Sequence, residues 1–186
     1  MRFAWGLESI YLEQYGFNKG LKRLFAKFLI QRLRTWDEKT AQGVDFFISN
    51  SEFVKSRIQK AYNRNAAVIY PPVNTAKFAL HTQKSEYFFT ACRFVDYKNL
   101  ELIIKAFNRL PNHRLVIAGQ GPQEKRLRKL AAPNIEFLGW VNEEKLIYYM
   151  QRAKGFINAS IEDFGIAGLE AQSTGTPIIA LGKGGY

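Results

Sequence analysis

The sequence predicts an α/β fold: a doubly wound parallel sheet preceded by part of a second domain. Three observations carry that prediction. From residue 87 to residue 181, strand-like and helix-like patterns alternate without a break. The strand candidates are short, continuous apolar runs such as Leu115-Val116-Ile117-Ala118, as strands covered on both faces require. Residues 73–85 are polar and carry no period, which sets the regular portion apart from what precedes it. The resulting division is a remnant of an amino-terminal domain at 1–72, a linker at 73–85 and a sheet domain at 86–186.

Taken in order, Gly20 to Gln42 reads as one long amphipathic helix, with Leu21, Leu24, Phe25, Phe28, Leu29 and Leu33 drawing an apolar stripe along it. Phe46-Phe47-Ile48 reads as a buried strand, and Ser51 then caps a helix that reaches about Tyr62. Ala67 to Tyr70 is a further strand. Pro71-Pro72 ends it, because proline supplies no ladder N–H. In the sheet domain the expected strands are 87–91, 114–118, 135–138, 155–159 and 177–181. The expected helices are 98–109, 123–131, 142–152 and 166–174. In an open sheet of this kind ligands bind beyond the carboxyl ends of the strands, where Arg93, Gly119, Trp140 and Glu162 emerge.

With 186 residues, 47% of them hydrophobic, the chain is long enough to bury a core. The single cysteine, Cys92, excludes an internal disulfide framework, and with two isolated histidines it argues against a structural zinc site. That cysteine usage makes a reducing cytoplasmic setting the default, and with no signal-peptide pattern and no apolar run near the roughly 20 residues that span a bilayer, the chain is not expected to be a transmembrane protein. The net charge of +11 calls for an anionic partner: nucleic acid, acidic lipid or a phosphorylated small molecule. Lys19, Lys22, Arg23, Lys27, Arg32 and Arg34 concentrate in a segment without acids. The 19–34 segment therefore reads either as a peripheral contact with acidic membrane or as a helix packed on the first domain's core.

The chemistry concentrates in Glu162 to Pro177. Glu162 precedes Gly165, and Glu170 falls about one turn into the helix that begins near Ile166, so two carboxylates face one ligand from different elements. The helix N-terminus between them offers free N–H groups and partial positive charge to a diphosphate. Arg93 and Lys98 follow the first strand of the sheet domain; they read as phosphate ligands or as ordinary solvated cations. Gly119-Gln120-Gly121 permits close backbone approach, to a ligand or simply within a tight turn, and it lacks the third glycine of the dinucleotide fingerprint. No Asp-x-Asp pair is present, so a metal site is not indicated.

These residues, as a set, resemble the carboxyl-terminal half of a retaining, nucleotide-sugar-dependent glycosyltransferase of family four, with the two-domain GT-B architecture and its Rossmann-like sheet. The carriers are IYPPVNTAKF (69–78), TACRFVDYKNLELIIKAF (90–107), LVIAGQGP (115–122), IEFLGWV (135–141) and EDFGIAGLEAQSTGTPIIAL (162–181). The opening MRFAWGLESIYLEQYG, together with FLIQRLRTWDEKTAQGVDFFISNSEFV (28–54), further resembles the mannosyltransferase-like branch of O-antigen and polysaccharide biosynthesis. The resemblance implies that Arg93 and Lys98 hold the donor diphosphate, that Glu162 contacts the transferred sugar and that Glu170 binds the ribose hydroxyls. Phe164, Gly165 and Ile166 would offer backbone N–H groups, while Gly139, Trp140 and Val141 line the base pocket and Gly119 and Gly121 the donor cleft. It implies no metal and no cofactor beyond the substrate nucleotide sugar, GDP-mannose by branch, with a lipid-linked saccharide as acceptor at the inner face of the plasma membrane.

Two departures stand against that pattern. A His-Thr-Pro segment expected just ahead of Met1-Arg2-Phe3 is absent, and the chain stops at Tyr186, before the continuation expected after Gly184-Gly185. A truncated chain is expected to keep part of a nucleotide-sugar site with little or no turnover. The competing reading is a basic nucleic-acid-binding or non-catalytic nucleotide-binding module; against nucleic acid, most Phe and Tyr fall on apolar strand or helix faces rather than among exposed cations.

Overall fold

The computed structural model describes residues 5–6, 8–17 and 19–186; the Met1-Arg2-Phe3 segment of the resemblance lies outside them. The chain divides into two compact units, Met1–Tyr70 and Pro71–Tyr186.

The first unit contains α1 (Glu8–Gln14), α2 (Gly20–Ala41), β1 (Phe47–Ser49), α3 (Glu52–Tyr62) and β2 (Ala66–Val68). The Ser51 hydroxyl accepts the Val54 N–H and so caps α3, as its sequence position predicts. β1 and β2 pair in parallel, with Phe47 opposite Ala66. The strand expected to be buried is half exposed instead and starts one residue later: Phe46 is 88% exposed and Ile48 64%. A two-stranded sheet packed on α3 covers one face only, so Phe47 and Ser49 turn inward while Ile48 alternates outward. On α2 the buried residues are Ala26, Ile30 and Ala41. The larger stripe residues Leu21, Leu24, Phe25 and Phe28 are all exposed. Asp37 anchors this unit by accepting hydrogen bonds from Trp5 Nε1 and the Tyr62 hydroxyl, both at 2.7 Å.

The second unit holds β3 (Tyr87–Ala91), α4 (Leu100–Asn108), β4 (Arg114–Ala118), α5 (Glu124–Leu130), β5 (Ile135–Gly139), α6 (Glu143–Arg152), β6 (Gly155–Asn158), α7 (Ile166–Ser173) and β7 (Ile178–Ala180). The five strands are all parallel, in the order β5-β4-β3-β6-β7. Two separate cores explain why the strands carry continuous apolar runs such as Leu115 to Ala118. Val116 and Ala118 join Phe89, Met150 and Phe156 on one face, whereas Leu115 and Ile117 join Ile103, Ile104, Phe107 and Leu127 on the other. Successive side chains of β4 thus enter opposite layers, and each layer removes them from water.

Two local differences from the sequence reading affect the site. The helix expected at 98–109 begins at Leu100, after a 3₁₀ turn over Asp96–Lys98. Asn99 breaks it by taking a left-handed conformation (φ 55°), which asparagine tolerates, and its side chain donates to the Ala159 carbonyl. Lys98 therefore sits on a turn rather than on the helix. Residues 73–85, read from sequence as a linker, pack on the second unit: Phe78 is buried in its core, and Lys84 Nζ donates to Gln151 O, Thr174 O and Thr176 Oγ1.

Candidate functional site

Strand order reverses between β3 and β6: β4 and β5 lie to one side, β7 to the other. Chain leaving these two neighbours diverges to opposite faces of the sheet, which opens a crevice at their carboxyl ends. The loops that enter it are 92–99 and 159–165.

The first loop is held by glycine contacts. Gly119, at φ 127°, lies so close to the loop that a Cβ there would come within 1.9 Å of Cys92 O. A Cβ on Gly121 would meet Phe94 N and O at 2.7 and 2.6 Å. Phe94 N–H donates to Gln120 O, and its own carbonyl accepts from Gln123. The glycine pair therefore packs the loop's backbone, and Phe94 is fully buried beside it. Arg93, between these anchored residues, is exposed, and no described residue pairs with its guanidinium. Burial pushes the Cys92 thiol up to about 11, with Lys98 opposing and Glu162 adding to the shift, so this thiol is protonated at neutral pH.

Lys98 and Glu162 meet across the crevice, with Nζ 2.7 Å from Oε1. Burial opposes charge on Glu162, but hydrogen bonds from Lys98 and Ser160, the Lys98 charge and the Asn158 amide outweigh it and hold the carboxyl below its ordinary range. Asn158 and Ser160 were not among the residues singled out from sequence. Their spacing from Glu162 is legible in Asn158-x-Ser160-x-Glu162, but only the end of β6 at the crevice turns that spacing into a shared site.

Beyond Glu162 the chain reaches Gly165, whose left-handed conformation (φ 88°) turns it into α7 and which, as the N-cap residue, has no side chain to bond the helix's first N–H groups. Phe164 is partly buried and Ile166 exposed at this turn. The Tyr186 ring lies against Gly165 and Gly168, where a Cβ would approach it to 2.3 and 2.5 Å, and its hydroxyl accepts from Asn158 Nδ2 at 2.7 Å. Gly184 and Gly185 pack backbone to backbone on the same loop, with Gly185 N–H donating to Glu162 O at 2.9 Å. These contacts are long in sequence, and no local pattern announces them.

Glu170 belongs to a different cluster. Burial, and then the like charge of Glu143, push its carboxyl up, while Lys77 opposes them; Lys77 itself is ion-paired with Glu143. The two glutamates that sequence groups together thus have separate partners. At the end of β5, Gly139 (φ 72°) turns the chain so that Trp140 is 70% exposed, while Val141 packs on the core. Among the described residues no group of three or more His, Cys, Asp or Glu side chains gathers.

The second unit coincides with a known sequence family: residues 73–186 match the profile of glycosyl transferases group 1. The chain belongs to this family. A glycosyltransferase of Bacillus subtilis, YqgM, is 27% identical over 158 residues, covering 78% of this chain and 44% of the relative. A GDP-mannose-dependent monoacylated α-(1-6)-phosphatidylinositol monomannoside mannosyltransferase of Corynebacterium glutamicum is 33% identical over 108 residues, covering 50% of this chain and 28% of the relative. Among solved structures, Anabaena HepE in complex with UDP and glucose superposes with a TM-score of 0.67 at 18% identity, covering 76% of this chain and 45% of that one. The chain thus spans less than half the length of these relatives. The five-stranded parallel sheet is the Rossmann-like sheet of a GT-B glycosyltransferase.

Proposed function

We propose that this chain carries the nucleotide-sugar half of a retaining hexosyltransferase, with Pro71–Tyr186 binding the donor and the first unit belonging to the acceptor-side domain. The observation that carries the reading is the Lys98–Glu162 pair, set at the sheet's switch point beside the N-terminus of α7 and beside Arg93, which pairs with no described residue. Arg93, Lys98 and the α7 N–H groups receive the diphosphate and stabilise the negative charge that develops on it as the sugar departs. Glu162 binds the sugar's hydroxyls, Glu170 the ribose, and Gly139 to Val141 border the base. No metal is assigned a step; side-chain cations and the helix end supply the positive charge.

GDP-mannose is the preferred donor, supported by the name of the Corynebacterium relative, and a lipid-linked saccharide is the acceptor. The exposed Leu21, Leu24, Phe25 and Phe28, interspersed with Lys22, Arg23 and Lys27, favour contact with an acidic membrane from the cytoplasmic side. No described helix is long and apolar enough to cross a membrane.

Calorimetric titration with GDP-mannose, UDP-glucose and the corresponding diphosphates tests the donor site. Arg93→Ala is expected to weaken nucleotide binding by about tenfold to a hundredfold, the range of one lost charge-assisted contact. Unchanged affinity in both Arg93→Ala and Glu170→Ala refutes the site. Flotation with anionic and with neutral liposomes tests the membrane contact, which predicts binding to the anionic vesicles alone.

A further inference from the structure

The protein uses one oxygen of the Glu162 carboxylate. Oε1 accepts from Lys98 Nζ at 2.7 Å, from Asn158 Nδ2 at 3.3 Å and from the Ser160 hydroxyl. Among the described residues, Oε2 accepts from none. We propose that Asn158 and Ser160 are positioning residues that tether Oε1 and thereby present Oε2 to a hydroxyl of the transferred sugar. This rests on the nucleotide-sugar reading of the site.

The division of labour follows from the geometry of the three donors. Lys98 supplies charge, but an ammonium on a flexible stem with three rotatable donors does little to fix the rotation of a carboxylate. Direction has to come from short side chains on an ordered backbone. Asn158 is the last residue of β6, and its Oδ1 accepts the Ser160 N–H at 2.9 Å. That bond identifies the amide oxygen and turns Nδ2 toward Glu162 and the Tyr186 hydroxyl. Ser160 is 1% exposed, so its hydroxyl has no water to turn to. The hydroxyl lies near both Asn158 Oδ1 and Glu162 Oε1 and has a single proton. Because Oδ1 already accepts a backbone N–H, the ionised carboxylate is the stronger remaining acceptor and takes it.

The chemical consequence is a directed acceptor. A sugar hydroxyl donating to Oε2 meets a carboxylate whose charge is retained and whose orientation is set before the ligand arrives, so ordering it costs nothing at binding. Truncating either tether leaves the charge and Lys98 in place and frees the carboxylate to rotate. The loss then falls on the sugar, not on the diphosphate.

Two measurements on the 186-residue chain test this with wild type, Ser160→Ala, Asn158→Ala and Ser160→Thr. The first is the carbon-13 titration of the Glu162 carboxyl without ligand. Both alanine variants are expected to raise its midpoint, by about one pH unit for Ser160→Ala, and Ser160→Thr to restore it. The second is the calorimetric affinity ratio of GDP-mannose to GDP, and of UDP-glucose to UDP. The alanine variants are expected to reduce the ratio of the preferred pair by about tenfold while the diphosphate alone binds within about twofold of wild type. A wild-type chain that binds neither diphosphate, or gains nothing from the sugar, overturns the nucleotide-sugar reading and this assignment with it. A wild-type gain that survives in both alanine variants, with the midpoint unmoved, overturns the positioning role alone. Loss of diphosphate and sugar binding together in the variants assigns Asn158 and Ser160 to folding and likewise overturns it.

Discussion

Replacing Lys98 with methionine leaves Glu162 in a partly buried crevice without its charge partner, and the size of the effect follows from the geometry. At the observed 2.7 Å, two unit charges in an effective dielectric of about 20 attract by roughly 6 kcal/mol. Most of that is offset, because the side chains retain only 21% and 15% of their exposure and each has surrendered part of its hydration. The pair sits between exposed pairs, worth up to about 1 kcal/mol, and fully buried ones, whose disruption costs about 3–5 kcal/mol. Lys98→Met is therefore expected to destabilise the second unit by about 2–3 kcal/mol, and a cycle with Glu162→Gln to show a coupling of about 1.5–2 kcal/mol. Since the chain has two compact units, the readout is native-state hydrogen exchange at Phe89, Val116 and Ile117, whose amides lie in β3 and β4 and report opening of the second unit. The sign with pH is fixed. The folded Glu162 carboxyl titrates below its ordinary value of 4.5, so the contribution is complete above that value and is lost as pH falls through the folded midpoint. A coupling under about 0.5 kcal/mol at neutral pH refutes the assignment of a stabilising pair. So does a coupling that persists once Glu162 is protonated.

Glu170→Gln is expected to act in opposite directions on stability and binding. Burial and Glu143 raise the folded carboxyl above its unfolded value, so the ionised group opposes folding at neutral pH, with the cost growing as pH rises through that window and vanishing below it. Thermal unfolding should show a gain of a few tenths of a kcal/mol after allowance for solvent screening, while calorimetry shows weaker nucleotide binding. Gly119→Ala places a methyl 1.9 Å from Cys92 O at a φ that side chains rarely adopt, and is expected to cost about 2–4 kcal/mol in chemical unfolding and to weaken nucleotide binding through displacement of Arg93. Wild-type stability in that variant contradicts the packing role given to the glycine.

The strands of the second unit were legible because a doubly covered strand must be apolar at consecutive positions, and β3 and β4 occur where the runs 87–91 and 114–118 predict them. The first unit was less legible for the converse reason. Phe46-Phe47-Ile48 has the composition of a buried strand, but composition does not say how many faces a sheet will have covered. Helix starts also depend on single residues: Lys98 suits a helix, and the left-handed Asn99 after it, held to Ala159, excludes Lys98 from one. The polar segment 73–85 carries no period, because its attachment to the second unit runs through the single buried Phe78, backbone bonds and Lys84 rather than a repeating apolar stripe.

Local chemistry alone was enough for the alternation of strands and helices, the family likeness and the residue types that gather near the carboxyl rim, because each depends on neighbours within a few positions. Tertiary structure decided strand order, and with it the crevice in which Lys98 meets a glutamate 64 residues away. It also separated Glu162 from Glu170, giving one a cation and two neutral donors and the other a like charge. Those assignments depend on distance and burial, and both are properties of the packed chain.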